Sequence, residues 1–170
     1  MEVQRNFIIG DEWLYFKIYT GTKTADVLIA NEILSLAGNL LNEDCIDKWF
    51  FIRYADPDYH IRIRFHLTQP ENIYQLIHLM NQLISPYFKN GLVSSIKVDT
   101  YKRELERYGN TSIEQSEDLF MHDSIMIGNA LSFLKGDEAN ELRWLFGVRA
   151  IDRLLADFHF LETEKMNLLE

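Results

Sequence analysis

The chain has 170 residues, with 26 Asp and Glu against 17 Lys and Arg, which gives a formal net charge of −9 at pH 7. This excess of negative charge repels nucleic-acid phosphates, so no direct tRNA binding is expected. The lone cysteine, Cys45, excludes an internal disulfide and a cysteine-based zinc site. An apolar fraction of 47%, without a continuous apolar run long enough for a membrane span, predicts a folded cytoplasmic protein.

The predicted elements, in chain order, are a strand, a helix, two strands, a second helix and a fourth strand. They cover 12–19, about 25–41, 48–54, 60–67, 70–85 and 94–101. The turn sequence ADPDY between the second and third strands favours a hairpin there. This order is typical of an α+β, ferredoxin-like βαββαβ fold with an antiparallel sheet.

Two C-terminal helices are predicted after this core, at 113–133 and 139–158, with a turn containing Gly136 between them. We therefore expect one domain over residues 1–170, with the ferredoxin-like core at 12–109 and a helical appendix at 110–170.

Side chains of the segment HIRIRFH, residues 60–66, alternate between the two faces of the predicted sheet. In the ferredoxin-like topology this strand and the first strand are central, and both core helices pack on one face. The predicted helix-facing set is apolar: Leu14, Phe16, Ile18, Phe50, Ile52, Ile61, Ile63, Phe65, Ile96 and Val98. The opposite side, called the second face below, then receives Tyr15, Lys17, Tyr19, Arg53, His60, Arg62, Arg64 and His66, with Lys97, Asp99 and Tyr101 at the edge.

Guanidinium and ammonium groups on neighbouring strands suit the binding of carboxylates or phosphates. Two alternatives account for the same pattern, namely a polar face that simply meets water and a homodimer interface that pairs these cations with acidic residues of another copy. The sequence contains no H-E-x-x-H motif, no phosphate-binding loop and no Gly-rich dinucleotide fingerprint, so neither a metal nor a cofactor is expected.

Several strings resemble the C-terminal domain of lantibiotic dehydratases, which also occurs in thiopeptide-type bacteriocin biosynthesis proteins. They are WLYFKIY (13–19), WFFIRYADPDYHIRIRF (49–65), YKRELERYG (101–109) and DLFMHDS (118–124). The pairing of H-x-R-x-R-F with Y-x-x-E-x-x-R-Y-G is the specific part of this resemblance.

The resemblance implies a lyase-type role in lanthipeptide biosynthesis. Lantibiotic dehydratases glutamylate Ser and Thr of a ribosomally made precursor peptide, and the C-terminal domain then eliminates glutamate to leave dehydroalanine or dehydrobutyrine. The implied partners are the precursor peptide, the glutamylation domain or subunit, and a cyclase. A non-catalytic module for peptide binding or complex assembly and a thiopeptide ring-forming enzyme are the alternatives.

Arg62, Arg64 and Arg107 are the catalytic residues that the resemblance implies, with Arg103 one helical turn before the last of them. Tyr15, Lys17, Arg53 and His60 are predicted to bind substrate from the same basic face. The family carries a histidine in an H-x-x-x-N-R-like segment that this sequence lacks. We therefore expect a piece of a larger enzyme or a natural short relative, with little elimination activity as this chain alone.

Overall fold

The computed structural model describes residues 3–134 and 139–168 and has an α+β architecture. Its strands are β1 (Asn6–Phe7), β2 (Trp13–Thr20), β3 (Ile46–Tyr54), β4 (His60–Leu67), β5 (Val93–Asp99) and β6 (Tyr101–Lys102). Its α-helices are α1 (Thr22–Val27), α2 (Leu34–Asn42), α3 (Ile73–Lys89), α4 (Leu105–Tyr108), α5 (Ile113–Phe133), α6 (Ala139–Asp157) and α7 (Glu162–Asn167). A π-helical segment, Leu28–Ile33, joins α1 to α2, and a short 3₁₀ helix, Pro70–Asn72, precedes α3. The predicted turn at Gly136 lies outside the described residues.

The main sheet has four antiparallel strands in the order β3-β4-β2-β5. The two strands predicted to be central, β2 and β4, are central, and β3 and β4 form the expected hairpin around the turn at 55–59. The segment HIRIRFH therefore lies in the middle of the sheet, where both of its long edges are hydrogen-bonded to neighbouring strands.

The main core lies between one face of the sheet and the helices α1–α2 and α3. Ile18, Ile61, Ile63 and Phe65 from the central strands are fully buried there. The helix from Thr22 to Asn42 is long and apolar enough to cross a membrane by length and composition alone. Its residues Leu28, Ile29, Ile33, Ala37 and Leu40 are instead fully buried in this core, so packing against the sheet explains its apolar character.

The predicted facing of β3 is wrong. Trp49 lies opposite Phe65 and Phe50 lies opposite Arg64, and residues that are paired across antiparallel strands point to the same face. Trp49, Phe51 and Arg53 therefore face the helices, whereas Phe50 and Ile52 face the other way. Arg53 forms an ion pair with Asp26 of α1, and its assignment to the second face is a misprediction.

The second face is not an open polar surface along its whole length. β1 and β6 form an additional two-stranded antiparallel sheet, which the sequence patterns did not predict. Phe7 of β1 and Tyr101 of β6 stack with ring centroids 5.9 Å apart, and Tyr101 also contacts Trp13 of β2 at 5.2 Å. A second, aromatic core results, formed by Phe7, Trp13, Tyr15, Phe50 and Tyr101 with Phe120 packed against it.

Helix α5 covers the outer edge of β3. The Ser124 hydroxyl oxygen accepts a hydrogen bond from the backbone N–H of Phe51 at 3.0 Å, which satisfies an edge-strand donor. A Cβ at Gly128 would lie 3.3 Å from Leu34 Cδ1, so the glycine allows α5 to approach α2 closely. Because of these contacts α5 belongs with the sheet in a first compact unit that runs to Leu131, and residues from Ser132 onward form a second unit.

A buried ion pair ties β6 to α5 beside the aromatic core. Arg103 donates from Nε and Nη2 to the two carboxylate oxygens of Glu117, each at 2.7 Å, and Tyr101 donates its hydroxyl to the same carboxylate at 2.8 Å. The Glu117 side chain is 1% exposed and that of Arg103 is 7% exposed. Both charges are compensated, and burial together with Glu117 raises the pKa of the Tyr101 hydroxyl.

We expect Glu117→Ala to lower the free energy of unfolding by about 3–5 kcal/mol, because Arg103 would remain buried without a counter-charge. Chemical denaturation followed by circular dichroism measures this change. Asp118→Ala, one position along α5, removes a more exposed partner of Lys48 and is expected to cost less than about 1 kcal/mol. Equal effects of the two substitutions would contradict a structural role for the buried pair.

Candidate anion-binding site

Arg64 is the central group of the second face. It comes from the middle strand β4, and its residue is 8% exposed. Its guanidinium carbon lies 4.3 Å from the ring centroid of Tyr15, 4.9 Å from that of Tyr101 and 5.1 Å from that of Phe50. The three aromatic faces hold the cation in place but accept none of its N–H groups in ordinary hydrogen bonds.

The charge of Arg64 has no counter-charge among the described residues. Its Nε and Nη1 atoms are buried without a hydrogen-bond partner, and no carboxylate oxygen of the described chain lies within 4 Å of it. Burial lowers the pKa of Arg64 from its ordinary value. Glu104 opposes this shift, but its effect is weaker than those of the other neighbouring groups. Desolvating a cation costs several kcal/mol, which cation–π contacts of about 0.5–2 kcal/mol offset only in part. Arg64 is thus a buried cation whose charge the described residues compensate only in part.

Arg62 lies two residues earlier on the same face, in a different environment. Its guanidinium carbon is 3.5 Å from the ring centroid of Tyr54, and its Nε donates to His60 Nε2 at 3.0 Å. Arg62 is half-buried, and it makes no ion pair among the described residues. β4 therefore presents two cations, one enclosed by aromatic rings and one held at its Nε edge.

Tyr15 and Lys17 of β2 lie opposite Arg64 and Arg62 across the strand pair, on the face where they were predicted. Burial raises the pKa of the Tyr15 hydroxyl, with Arg64 opposing the shift, so this phenol keeps its proton at neutral pH and can donate a hydrogen bond. Lys17 pairs with Asp99 of β5, and this contact raises the pKa of the lysine. Lys17 therefore adds less net positive charge to the face than the sequence suggested.

The segment after β6 contains Arg103 and Arg107, and the structure places these two arginines in different environments. Arg103 is fixed by Glu117 and by the Gln4 carbonyl oxygen, which accepts from its Nη1 at 3.1 Å. Arg107 on α4 is exposed, with its Nη1 3.2 Å from Glu104. Arg103 is thus held by partners within the chain, whereas Arg107 is exposed and has one ion pair on the surface of α4.

The two histidines of HIRIRFH differ in how many of their ring nitrogens are hydrogen-bonded. His60 is buried and contacts a backbone carbonyl through one ring nitrogen and Arg62 through the other. His66 lies 2.5 Å from Asp47 Oδ1 through Nδ1 and 3.6 Å from Glu12 Oε2 through Nε2. His60 therefore has hydrogen bonds at both ring nitrogens, whereas Nε2 of His66 has only this longer ionic contact.

Sequence reasoning missed the aromatic part of this site. Phe50 and Tyr54 were not assigned to it, although the register of the β3–β4 hairpin places them opposite Arg64 and His60. Pairing the two strands outward from the ADPDY turn would have revealed both.

A separate apolar groove of about 370 Å³ lies on the helix side, between α3 and β5. Its lining includes Ile77, Ile84, Phe88, Ile96 and Val98. The polar residues in its lining are Asn81, Ser85, Lys89 and Lys97, so the groove is mostly apolar and offers few groups for charge recognition.

Comparison with known proteins identifies the family. The family described as "Lantibiotic biosynthesis dehydratase C-term" matches residues 13–170. This chain belongs to that family. The match includes all strands that build the second face except β1.

Two curated relatives agree with this assignment. The chain is 30% identical over 161 residues to the subtilin biosynthesis protein SpaB of Bacillus subtilis, covering 94% of this chain and 15% of SpaB. It is 29% identical over 133 residues to the nisin biosynthesis protein NisB of Lactococcus lactis subsp. lactis, covering 74% of this chain and 12% of NisB. The chain thus spans about one seventh of the length of these relatives.

Solved structures share the fold. The tRNA-dependent lantibiotic dehydratase MibB from Microbispora sp. 107891 matches with a TM-score of 0.61 and 28% identity, over 75% of this chain and 13% of the MibB chain. TsrL matches with a TM-score of 0.60 and 16% identity, over 79% of this chain and 39% of its own. The second likeness concerns the fold alone.

The uncompensated charge leads to a stability prediction. Arg64→Met keeps an apolar stem between the three rings and removes the cation, so we expect the free energy of unfolding without ligand to rise by at least about 1 kcal/mol. Arg103→Met is the matched control and should destabilise the chain, because it leaves Glu117 buried and unpaired. Urea denaturation of both variants compares them directly. A loss of stability in Arg64→Met as large as that in Arg103→Met would contradict an unpaired Arg64.

Proposed function

We propose that this chain is part of a lantibiotic dehydratase and that it eliminates glutamate from glutamylated Ser and Thr of a precursor peptide. Family membership supports the first part of this proposal, a role in lanthipeptide dehydration. The observation that carries the proposal is Arg64, a buried cation whose Nε and Nη1 lack a partner and which therefore favours a carboxylate ligand.

The chemistry requires charge stabilisation at two places. A base removes the Cα proton of the glutamylated residue, the electron pair forms the Cα=Cβ double bond, and the Cβ–O bond breaks to release glutamate as a carboxylate. Negative charge develops transiently at the peptide carbonyl and remains on the leaving group. Donors that are already in place and shielded from water stabilise such charge most effectively in the transition state.

Different residues of the second face can stabilise different negative charges of the reaction. In our proposal Arg64 binds the departing carboxylate, Tyr15 donates a hydrogen bond to the same oxygens, and Arg62 holds a second anionic group of the substrate. Arg107, exposed on α4, is positioned to pair with the peptide or the glutamyl group at the rim. Arg53 has no part in it, since it faces the helices and pairs with Asp26.

We do not assign proton transfer to His60, whose two ring nitrogens are both hydrogen-bonded, or to His66, whose Nδ1 contacts Asp47 and whose ring packs against Trp13. The face contributes anion binding, and the acid and base would come from elsewhere in the enzyme or from the substrate. The glutamylation domain and the precursor peptide are the partners in this proposal, and the cytoplasm is its location. The strand order β3-β4-β2-β5 supports describing the core as ferredoxin-like.

In the complete enzyme, we expect Arg64→Ala to slow elimination roughly 100- to 1,000-fold and to leave glutamylation intact. Mass spectrometry should then detect precursor peptide that retains its glutamyl groups. Arg64→Lys should rescue poorly, because an ammonium group does not reproduce the planar fork and loses its proton more readily when buried.

Arg53→Lys serves as the control, because it makes the same exchange on the adjacent strand but on the helix-facing side. It should process the peptide at the rate of the unaltered enzyme. Normal dehydration by Arg64→Ala, with no accumulation of glutamylated peptide, would remove the basis of the proposal.

The purified chain should bind free glutamate weakly, and added NaCl should weaken this binding because it screens the partly exposed charges. Isothermal titration at low and physiological salt measures the effect. Arg64→Met should abolish the binding, and Arg53→Lys should retain it. Binding that is unchanged in Arg64→Met would place the ligand elsewhere.

A further inference from the structure

We propose that His60 is a positioning residue for Arg62. Its ring accepts a hydrogen bond from Nε–H of Arg62 and thereby leaves both Nη nitrogens of that guanidinium for an anionic ligand. The positioning role of His60 follows from its hydrogen bonds and does not depend on the reaction. The expected effect of His60 on ligand affinity rests on the proposed function.

The two contacts of His60 fix its tautomer. Nδ1 lies 2.7 Å from the backbone carbonyl oxygen of Asp58, which can only accept, so Nδ1 carries the proton. Nε2 lies 3.0 Å from Nε of Arg62, which can only donate, so Nε2 is bare. The neutral imidazole with its proton on Nδ1 is the form that satisfies both neighbours.

Packing holds the ring in this orientation. His60 is 1% exposed, stacks on Tyr19 with centroids 4.8 Å apart and contacts Tyr54 at 5.7 Å. Tyr54 in turn lies under the guanidinium of Arg62 at 3.5 Å. Rotation of the imidazole would break both of its hydrogen bonds without access to replacement water, so the acceptor for Arg62 is fixed.

The position of the hydrogen bond on Arg62 matters. The Nε bond and the stacking on Tyr54 orient the guanidinium plane, and among the described residues neither Nη nitrogen has a hydrogen-bond partner. An oriented fork loses less conformational entropy when it binds a carboxylate. His60 therefore acts through Arg62 and does not itself contact the ligand.

Nuclear magnetic resonance of the purified chain tests the arrangement without any activity. Nitrogen-15 shifts of His60 should show a protonated Nδ1 and a bare Nε2, and the Nε–H signal of Arg62 should exchange slowly with water. In His60→Phe, which keeps a stacking ring but has no acceptor, that signal should exchange rapidly. In His60→Gln, whose side-chain oxygen can replace Nε2 as acceptor, slow exchange should return. A protonated Nε2 in the unaltered chain would overturn the inference.

Affinity for free glutamate supplies a second measurement. His60→Phe should weaken binding roughly tenfold, His60→Gln should restore most of it, and Arg62→Ala should weaken binding at least as much as His60→Phe. The double variant should bind no more weakly than Arg62→Ala alone, because His60 acts only through Arg62. Thermal unfolding checks that each variant is folded.

The outcomes separate this inference from the proposed function. Additive losses in the double variant, or failure of His60→Gln to restore both measurements, would show that His60 acts by another route. If the unaltered chain does not bind glutamate, the proposed function loses its support. The tautomer and the exchange rate of the Arg62 signal would still decide the role of His60.

Discussion

A cation that is buried without an anion is the physical constraint on which the second face of this sheet depends. Arg64 lies against the rings of Tyr15, Phe50 and Tyr101, and two of its donor nitrogens have no partner. Beside the aromatic core lies a buried arginine of the opposite kind, since Arg103 is fully matched to Glu117. The two buried arginines therefore differ in what compensates their charge, because Arg103 has a carboxylate within the chain and Arg64 has aromatic rings.

The fold encloses Arg64 by combining a rigid central strand with an additional small sheet that covers it. β4 is central, so hydrogen bonds on both edges fix the spacing of Arg62 and Arg64. The small β1–β6 sheet then brings Phe7 and Tyr101 over one end of the face and excludes water from the Arg64 side chain. The end of the face near Arg62 is less covered, so the two cations differ in solvation although they are adjacent on one face.

Much of this architecture could be predicted from the sequence. Alternation in β2 and β4 is unambiguous, and HIRIRFH lies on a central strand of an antiparallel sheet, as predicted. Alternation failed in β3, where Trp49, Phe50, Phe51 and Ile52 are all apolar, because both faces of that strand pack against apolar neighbours. The error moved Arg53 to the wrong face.

The small sheet that covers the site could not be predicted from sequence periodicity. β1 and β6 each have two residues, too few to show alternation, and their pairing depends on a contact between the start of the chain and position 101. The aromatic box around Arg64 is thus a tertiary feature. Sequence patterns predicted the cations, and only the assembled sheet revealed that one of them is enclosed.

The net charge of −9 bears on why the buried cation is an arginine. An acidic surface repels anions at long range, so a carboxylate must be attracted by a strong local charge. A lysine that was desolvated as strongly as Arg64 would lose its proton readily, whereas arginine remains charged even though burial lowers its pKa. On a central strand of an acidic chain, Arg64 therefore maintains positive charge where water is excluded, which is the property that our proposal requires of a residue that binds a leaving carboxylate.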